Sequence, residues 1–217
     1  MKIDSKPRQR VAAVLCAAAM LAAAGCKKTA DNTLNYKSAL NTFYDAHPAC
    51  LWSQTKKFPT QANTSDTDKT SPYDALVDQG LLVRTTEEKK ELIILSRQVT
   101  NYDLSEQGRS NWAADVSQPG YGNFCYGHWS VSAIDSATPT TDQPGATTQV
   151  SYHYALAGTP AWAVAPETQN AFPAIGANMA PHIAGSATLS NTAAGWVVTS
   201  ASGSTRAASS TDGKIVE

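Results

Sequence analysis

The chain has 217 residues, with 17 Lys and Arg against 18 Asp and Glu, and a formal net charge of −1. Residues 1–25 hold four of the basic residues and one of the acidic ones, so the remainder carries 13 against 17, near −4, which argues against a polyanion partner such as nucleic acid. About 190 residues follow that front end, enough for one domain or two small ones with a real core.

Lys2, Lys6, Arg8 and Arg10 precede an uncharged run over 11–24. A basic segment followed by an apolar one is the pattern of an export signal. As a helix, the run would reach roughly 21 Å, short of the roughly 30 Å hydrocarbon core, so it is not expected to span a membrane. Ala23-Ala24-Gly25-Cys26 comes next. These residues resemble the lipobox of bacterial lipoproteins, with Ala23 where that family more often has Leu. The resemblance implies that residues 1–25 are a signal peptide and that the Cys26 thiol receives a diacylglycerol. Cleavage would then leave Cys26 first. Acyl chains, at about 0.8 kcal/mol per buried CH₂, would hold the protein on a membrane. Lys27 rather than Asp after the cysteine resembles the class sent to the outer membrane, facing the periplasm. Polar residues 26–33 read as a tether.

Residues 34–47 place Leu34, Leu40, Phe43 and Tyr44 near helical spacing, with Tyr36 and Ala39 beside them, and Pro48 stops the pattern. Residues 58–72 read as a polar loop. Ser71-Pro72 predicts a helix start with Ser as N-cap and Pro as first residue, and Gly80 predicts its end. Residues 81–86 read as extended. Residues 87–97 are ambiguous: "EEKKELIILSR" favours helix by propensity, while its apolar part suits a strand. As a helix, Glu87, Glu88 and Glu91 with Lys89 and Lys90 would form a solvated face. Tyr102 and Leu104 look like strand positions, and Ser105 like the N-cap of a short helix running to Ala114.

"YDALVDQGLL" followed by "YDLSEQGR" resembles the last helix, exit, strand and helix start of a winged helix. With no Lys or Arg in "SPYDALVDQG", such a unit would suit a partner other than nucleic acid. Residues 117–123 make a turn-rich boundary. Residues 124–134 read as a strand. Residues 149–156 alternate, with Val150, Tyr152, Tyr154 and Leu156 on one face, the signature of a half-buried antiparallel strand. Thr159-Pro160 opens a helical stretch holding Trp162, and Pro166 restarts it. Ala187 to Leu189 and Gly195 to Thr199 read as a closing hairpin around "SNTAAG". Residues 201–217 are rich in Ser, Ala and Thr and are expected to be disordered. The expected fold class is α+β: a small helical, winged-helix-like unit over 34–116, then a mostly antiparallel sheet with one packed helix over 120–200.

Cys50 and Cys125 remain once Cys16 and Cys26 are set aside. In an oxidising compartment two such cysteines suggest a disulfide. The alternative is zinc, because His47-x₂-Cys50 and Cys125-x₂-His128 together offer two thiolates and two imidazoles. The chain has no G-x-S-x-G elbow, H-E-x-x-H or Gly-rich phosphate loop, and no catalytic residue and no cofactor is assigned. His128 and His153 fall on adjacent predicted strands, where either with Asp135 would make an acid–base pair, against the simpler reading of ordinary strand histidines. Arg84, Arg97 and Arg109 would either clamp an anion or sit on the surface. The aromatics Tyr121, Phe124, Tyr126, Trp129, Tyr152, Tyr154, Trp162 and Trp196 crowd the second half. They would either form a binding surface for glycan or protein or fill a core, and core filling is preferred because an exposed patch invites aggregation.

"FCYG", "VSYHYAL", "PAWA" and "GWVV" in this order resemble a family of uncharacterised bacterial envelope lipoproteins. That resemblance implies a shared fold and location and no catalytic residue. The expected role is a lipid-anchored, non-catalytic binding or structural module with an envelope protein or cell-wall partner. The alternative is an envelope hydrolase using His128 or His153, or a protein binding metal through the His47, Cys50, Cys125 and His128 set.

Overall fold

The computed structural model describes residues 32–92 and 95–202. The expected signal peptide, Cys26, the tether up to residue 31 and the tail beyond Ser202 lie outside the described residues.

Helix α1, Thr33–Asp45, ends three residues before Pro48 and buries Tyr36, Ala39, Leu40 and Tyr44. Leu34, expected on that face, is 79% exposed, because it points away from the turn that carries Tyr36 and Leu40. Short strands β1, Ala49–Cys50, and β2, Lys56–Lys57, follow. Residues 58–72 are not one polar loop: they hold β3, Thr60–Asn63, and the start of α2, Thr67–Asp78. The N-cap of α2 is Asp66, whose side chain accepts from the Lys69 N–H, not Ser71. Pro72 therefore sits in the middle of the helix, where it lacks the backbone donor that would reach the Asp68 carbonyl. Gly80 does end α2, at φ +72°. The Gly80 N–H reaches the Val77 carbonyl at 2.8 Å and the Leu81 N–H reaches that of Leu76 at 2.9 Å, the paired bonds of a Schellman motif.

Strands β4, Leu82–Leu92, and β5, Leu95–Leu104, pair antiparallel, so the charged run over 87–91 is a strand and not a helix face. Pairing with β5 outweighs helix propensity here. With β3 they form a three-stranded sheet in the order β3-β5-β4. Ser105 caps α3, Glu106–Asn111, accepting from the Gly108 N–H at 2.8 Å. The helix stops short of Ala114, because Trp112–Ala114 form β6 and pair with residues 122–124.

Strand β7, Tyr121–Ala137, is the spine of the larger sheet. It continues into β8, Thr147–Ala157; three short helices, α4 (Ala161–Val164), α5 (Pro166–Ala171) and α6 (Ala174–Asn178); and a hairpin of β9, Ile183–Thr192, and β10, Gly195–Ser202. Pro166 opens α5, as its fixed φ suits. β10 extends to Ser202, so the first two residues of the expected tail are strand. The sheet is antiparallel, in the order β1-β7-β8-β9-β10, with β2 and β6 also on β7. Strands from both sides of the 117–123 stretch therefore share one sheet. The architecture is α+β, mostly antiparallel strand, with the larger sheet curled into a half-barrel.

Helix α1 packs on this sheet. Tyr36 meets Trp196 edge-on at 5.0 Å, and Tyr44 stacks on Tyr154 at 5.1 Å. A bulge in β7 between Val131 and Ala133 interrupts the ladder with β8. Two side chains of α1 serve its backbone: Asn41 Oδ1 accepts from the Val131 N–H at 2.9 Å, and Lys37 Nζ donates to the Ser132 carbonyl at 3.1 Å. A second aromatic group centres on Trp52, with Phe58, Tyr73, Trp112, Phe124 and Phe172 all within 6.4 Å of its ring. Buried Asn123 exchanges two hydrogen bonds with the Trp52 backbone and fixes that ring's segment.

Candidate functional site

Cys50 and Cys125 are opposite one another in the β1–β7 pairing and are joined by a disulfide. Sulfurs bonded to each other present no thiolate, so the four-ligand zinc set does not form. His47 instead stacks on Phe43 at 4.3 Å, with Nδ1 2.6 Å from the Phe43 carbonyl oxygen. Among the described residues no three His, Cys, Asp or Glu side chains are grouped to hold a metal ion.

His128 and His153 do fall on neighbouring strands, but not beside each other. His128 pairs with Ala157 and His153 with Ala133. Five residues along β7 separate those rows, on the order of 16 Å. The His128 ring lies over Gly158. His153 does meet Asp135, with Nδ1 2.8 Å from Oδ2, both side chains about 40% exposed. That contact holds the ring with Nε2 turned away from the carboxylate. The nearby Ser132 hydroxyl donates to the His153 backbone carbonyl at 3.0 Å and is not aimed at the ring. The arrangement is a histidine–carboxylate contact between half-exposed side chains.

The three arginines are not gathered. Arg97 is opposite Lys89, five rows out along the hairpin from Arg84, and Arg109 is on α3. Arg84 closes on Asp74 of α2, with Nη1 2.5 Å from Oδ1, and the buried Tyr102 hydroxyl donates to the same oxygen at 3.0 Å. Burial first, then the bond to Asp74, raises the Tyr102 phenol well above its ordinary range, and Asp74 raises Arg84 in turn. These groups and Thr64, Thr70, Thr86 and Thr100 line a cavity of about 260 Å³.

Most of the second-half aromatics fill the core. Phe124, Tyr126, Trp129, Tyr152 and Tyr154 are fully buried and Trp162 nearly so. Tyr121 is exposed, and Trp196 is only partly covered. Trp196 lines a second, larger cavity of about 400 Å³, with Asn32, Asn35, Ser38, Asp142, Asn191 and the Ala194–Gly195 turn. Sequence reading missed this site. Asn32 lay in the expected tether, Asp142 in a loop and Asn191 in a turn. The fold brings them together from segments up to about 160 residues apart, and no local spacing marks such a set.

The cavity is braced by its own hydrogen bonds. The Asn32 amide donates to the Asp142 carboxylate, and Asn35 Nδ2 donates to Asn32 Oδ1 at 3.1 Å. Asn191 Nδ2 donates to the Asp142 backbone carbonyl at 2.9 Å. The Asn191 backbone also exchanges bonds with Gly145 and Ala146, pinning the 138–146 loop to the end of β9.

No protein-family model matches the chain, and neither a curated protein nor a solved structure shows detectable similarity to it.

Proposed function

We propose that the chain is exported, lipid-anchored through Cys26, and acts on the outer membrane's periplasmic face as a non-catalytic binding module for an envelope partner. The observation that carries this reading is the Cys50–Cys125 disulfide, which fits an oxidising compartment and agrees with the export pattern and lipobox-like residues of 1–26. Within this reading, β3, α2, β4 and β5 are a winged-helix-like unit whose hairpin serves as a docking arm. In support, the sheet order β3-β5-β4 suits a wing, and residues 83–90 and 96–98 are exposed along the hairpin.

The anchor is tested by intact mass and palmitate labelling of the cell-expressed protein. The expected result is a Cys26 start carrying acyl chains, with Cys26→Ser losing label and membrane fractionation. An unmodified Met1 start would overturn it.

One observation favours a second reading, an envelope hydrolase: the His153–Asp135 contact is the orientation a general base requires. It would require hydrolysis of a cell-wall or ester substrate that disappears in His153→Ala while the fold is retained.

A further inference from the structure

We infer that the cavity between the first turn of α1, the 138–146 loop and the β9–β10 turn is a saccharide subsite for an uncharged, N-acetylated amino sugar of cell-wall glycan. This deepens the binding-module reading above and rests on it for access to such a glycan.

The lining decides the class of ligand by elimination. Among the described residues the lining holds no Lys, Arg or His, and its one carboxylate is Asp142. A phosphate or carboxylate ligand would meet a like charge and no counter-ion, so anionic lipids and polyphosphates are disfavoured. A lipid tail is equally unsuited, because Asn32, Asn35, Ser38, Asp142 and Asn191 would all lose water without replacement hydrogen bonds. What remains is a ligand polar around its edge and without negative charge, and comparing an acetylated sugar with its cationic deacetylated counterpart separates the neutral case from a cation drawn to Asp142.

The donors and acceptors match a sugar. Each primary amide has a carbonyl oxygen and two N–H groups, and the bonds described above use only part of that capacity on Asn35 and Asn191. Ser38 adds a hydroxyl that both donates and accepts, and Asp142 adds a strong acceptor for sugar hydroxyls. An amide facing an acetamido group satisfies its N–H and C=O together. Trp196 supplies the one large apolar surface, held by the edge contact with Tyr36, on which a sugar's C–H face or an acetyl methyl can rest. The volume falls within the roughly 300–1,000 Å³ of small-molecule sites. Because the Asn35–Asn32–Asp142 chain and the Asn191 clamp already fix the polar groups, little side-chain freedom is lost on binding.

The test uses the full mature chain, isotope-labelled, titrated with chitotriose, with its deacetylated counterpart and with maltotriose. Side-chain amide signals of Asn35 and Asn191 and the Trp196 indole signal are followed by NMR. Chitotriose should move these three signals selectively, and each of the other two sugars should bind about tenfold more weakly or worse, the scale of one lost hydrogen-bonded group. Asn35→Ala, on an exposed turn of α1, should weaken chitotriose by about the same factor without altering the melt. Trp196→Phe should weaken it as well, and Asn35→Ala keeps the test decisive if that core-facing change disturbs folding. Equal or tighter binding of the deacetylated sugar overturns the acetamido assignment. A chain that sediments with purified cell wall while chitotriose leaves all three signals unmoved overturns the cavity but leaves the binding module standing. A chain that binds neither overturns both.

Discussion

Cys50 and Cys125 are register partners across the β1–β7 pair, bonded through their sulfurs and 75 residues apart in sequence. Strand β1 is only two residues long, so its own ladder bonds hold it weakly. The bridge and the Leu51 N–H bond to the Phe124 carbonyl, at 2.9 Å, fix the exit of α1 to the spine of the sheet. Closing a loop of this size is worth up to about 4.5 kcal/mol in the chain-entropy account, and such bridges typically deliver about 2–4 kcal/mol. Cys50→Ser/Cys125→Ser should therefore lower the unfolding free energy by about 2–4 kcal/mol. Urea melts with and without reductant would measure it. Coincident midpoints for oxidised and reduced protein would contradict the structural role.

Gly108 allows α3 to dock against the end of α2. The Ser105 N–H bonds the Leu81 carbonyl at 3.1 Å, and a Cβ on Gly108 would collide with that same carbonyl oxygen. Backbone cannot yield as a flexible side chain can. Gly108→Ala should cost about 1–3 kcal/mol, as overpacking does. Gly176 of α6 is the control, since the nearest atom a Cβ there would meet is Gln169 Oε1 at 3.8 Å. Gly176→Ala should be neutral or stabilising by up to about 1 kcal/mol. Thermal melts of the pair separate the two, and equal effects would refute the collision.

Asp74 gives a different contrast. Its Oδ1 accepts from both the Tyr102 hydroxyl and Arg84, yet the two donors differ in burial. Tyr102 is buried, whereas Arg84 is half exposed. Asp74→Ala deprives a buried phenol of its carboxylate acceptor and should cost about 1–3 kcal/mol. Arg84→Ala removes a solvent-screened ion pair and should cost at most about 1 kcal/mol. If chemical denaturation found Arg84→Ala the more damaging change, the buried hydrogen bond would not be the reason Asp74 is held there.

The parts legible in the sequence were those whose cause is local. Pro48 stops α1, Gly80 takes the positive φ that ends α2, Ser105 caps α3, and the alternation of 150–154 sets the buried face of β8. For Cys50 and Cys125 the spacing offered a disulfide or a zinc set with His47 and His128, and their register across β1 and β7 decides for the disulfide. What was misread depended on distant partners. Ser71-Pro72 has good capping chemistry, but Asp66 is a cap one turn and more upstream, and packing carries α2 through the proline. Residues 87–92 have helical propensity and become strand because β5 offers them a ladder of backbone partners. The polar cavity was illegible for the same reason, since its amides meet only after the sheet curls around α1.

Buried phenols set the alkaline limit of this fold. The Tyr44 and Tyr152 hydroxyls are 2.8 Å apart beneath α1, and the Tyr126 hydroxyl accepts from Asn178 at 2.6 Å. Burial raises Tyr44, Tyr102, Tyr126 and Tyr152 above the ordinary value of 10.0, although the bond from Asn178 opposes it at Tyr126 and that with Tyr44 opposes it at Tyr152. A folded state that holds these protons more tightly than the unfolded chain keeps its full contribution below pH 10 and loses it as pH rises through the elevated range. Stability should thus be flat near neutrality on account of these groups and fall above about pH 10. The four phenols should ionise only as the chain opens. Phenolate absorbance and far-ultraviolet circular dichroism, followed together through an alkaline titration, provide the check. Full ionisation of all eight tyrosines while the dichroism stays native would show that these hydroxyls reach water in the folded protein, and the tyrosine packing under α1 would have to be redrawn.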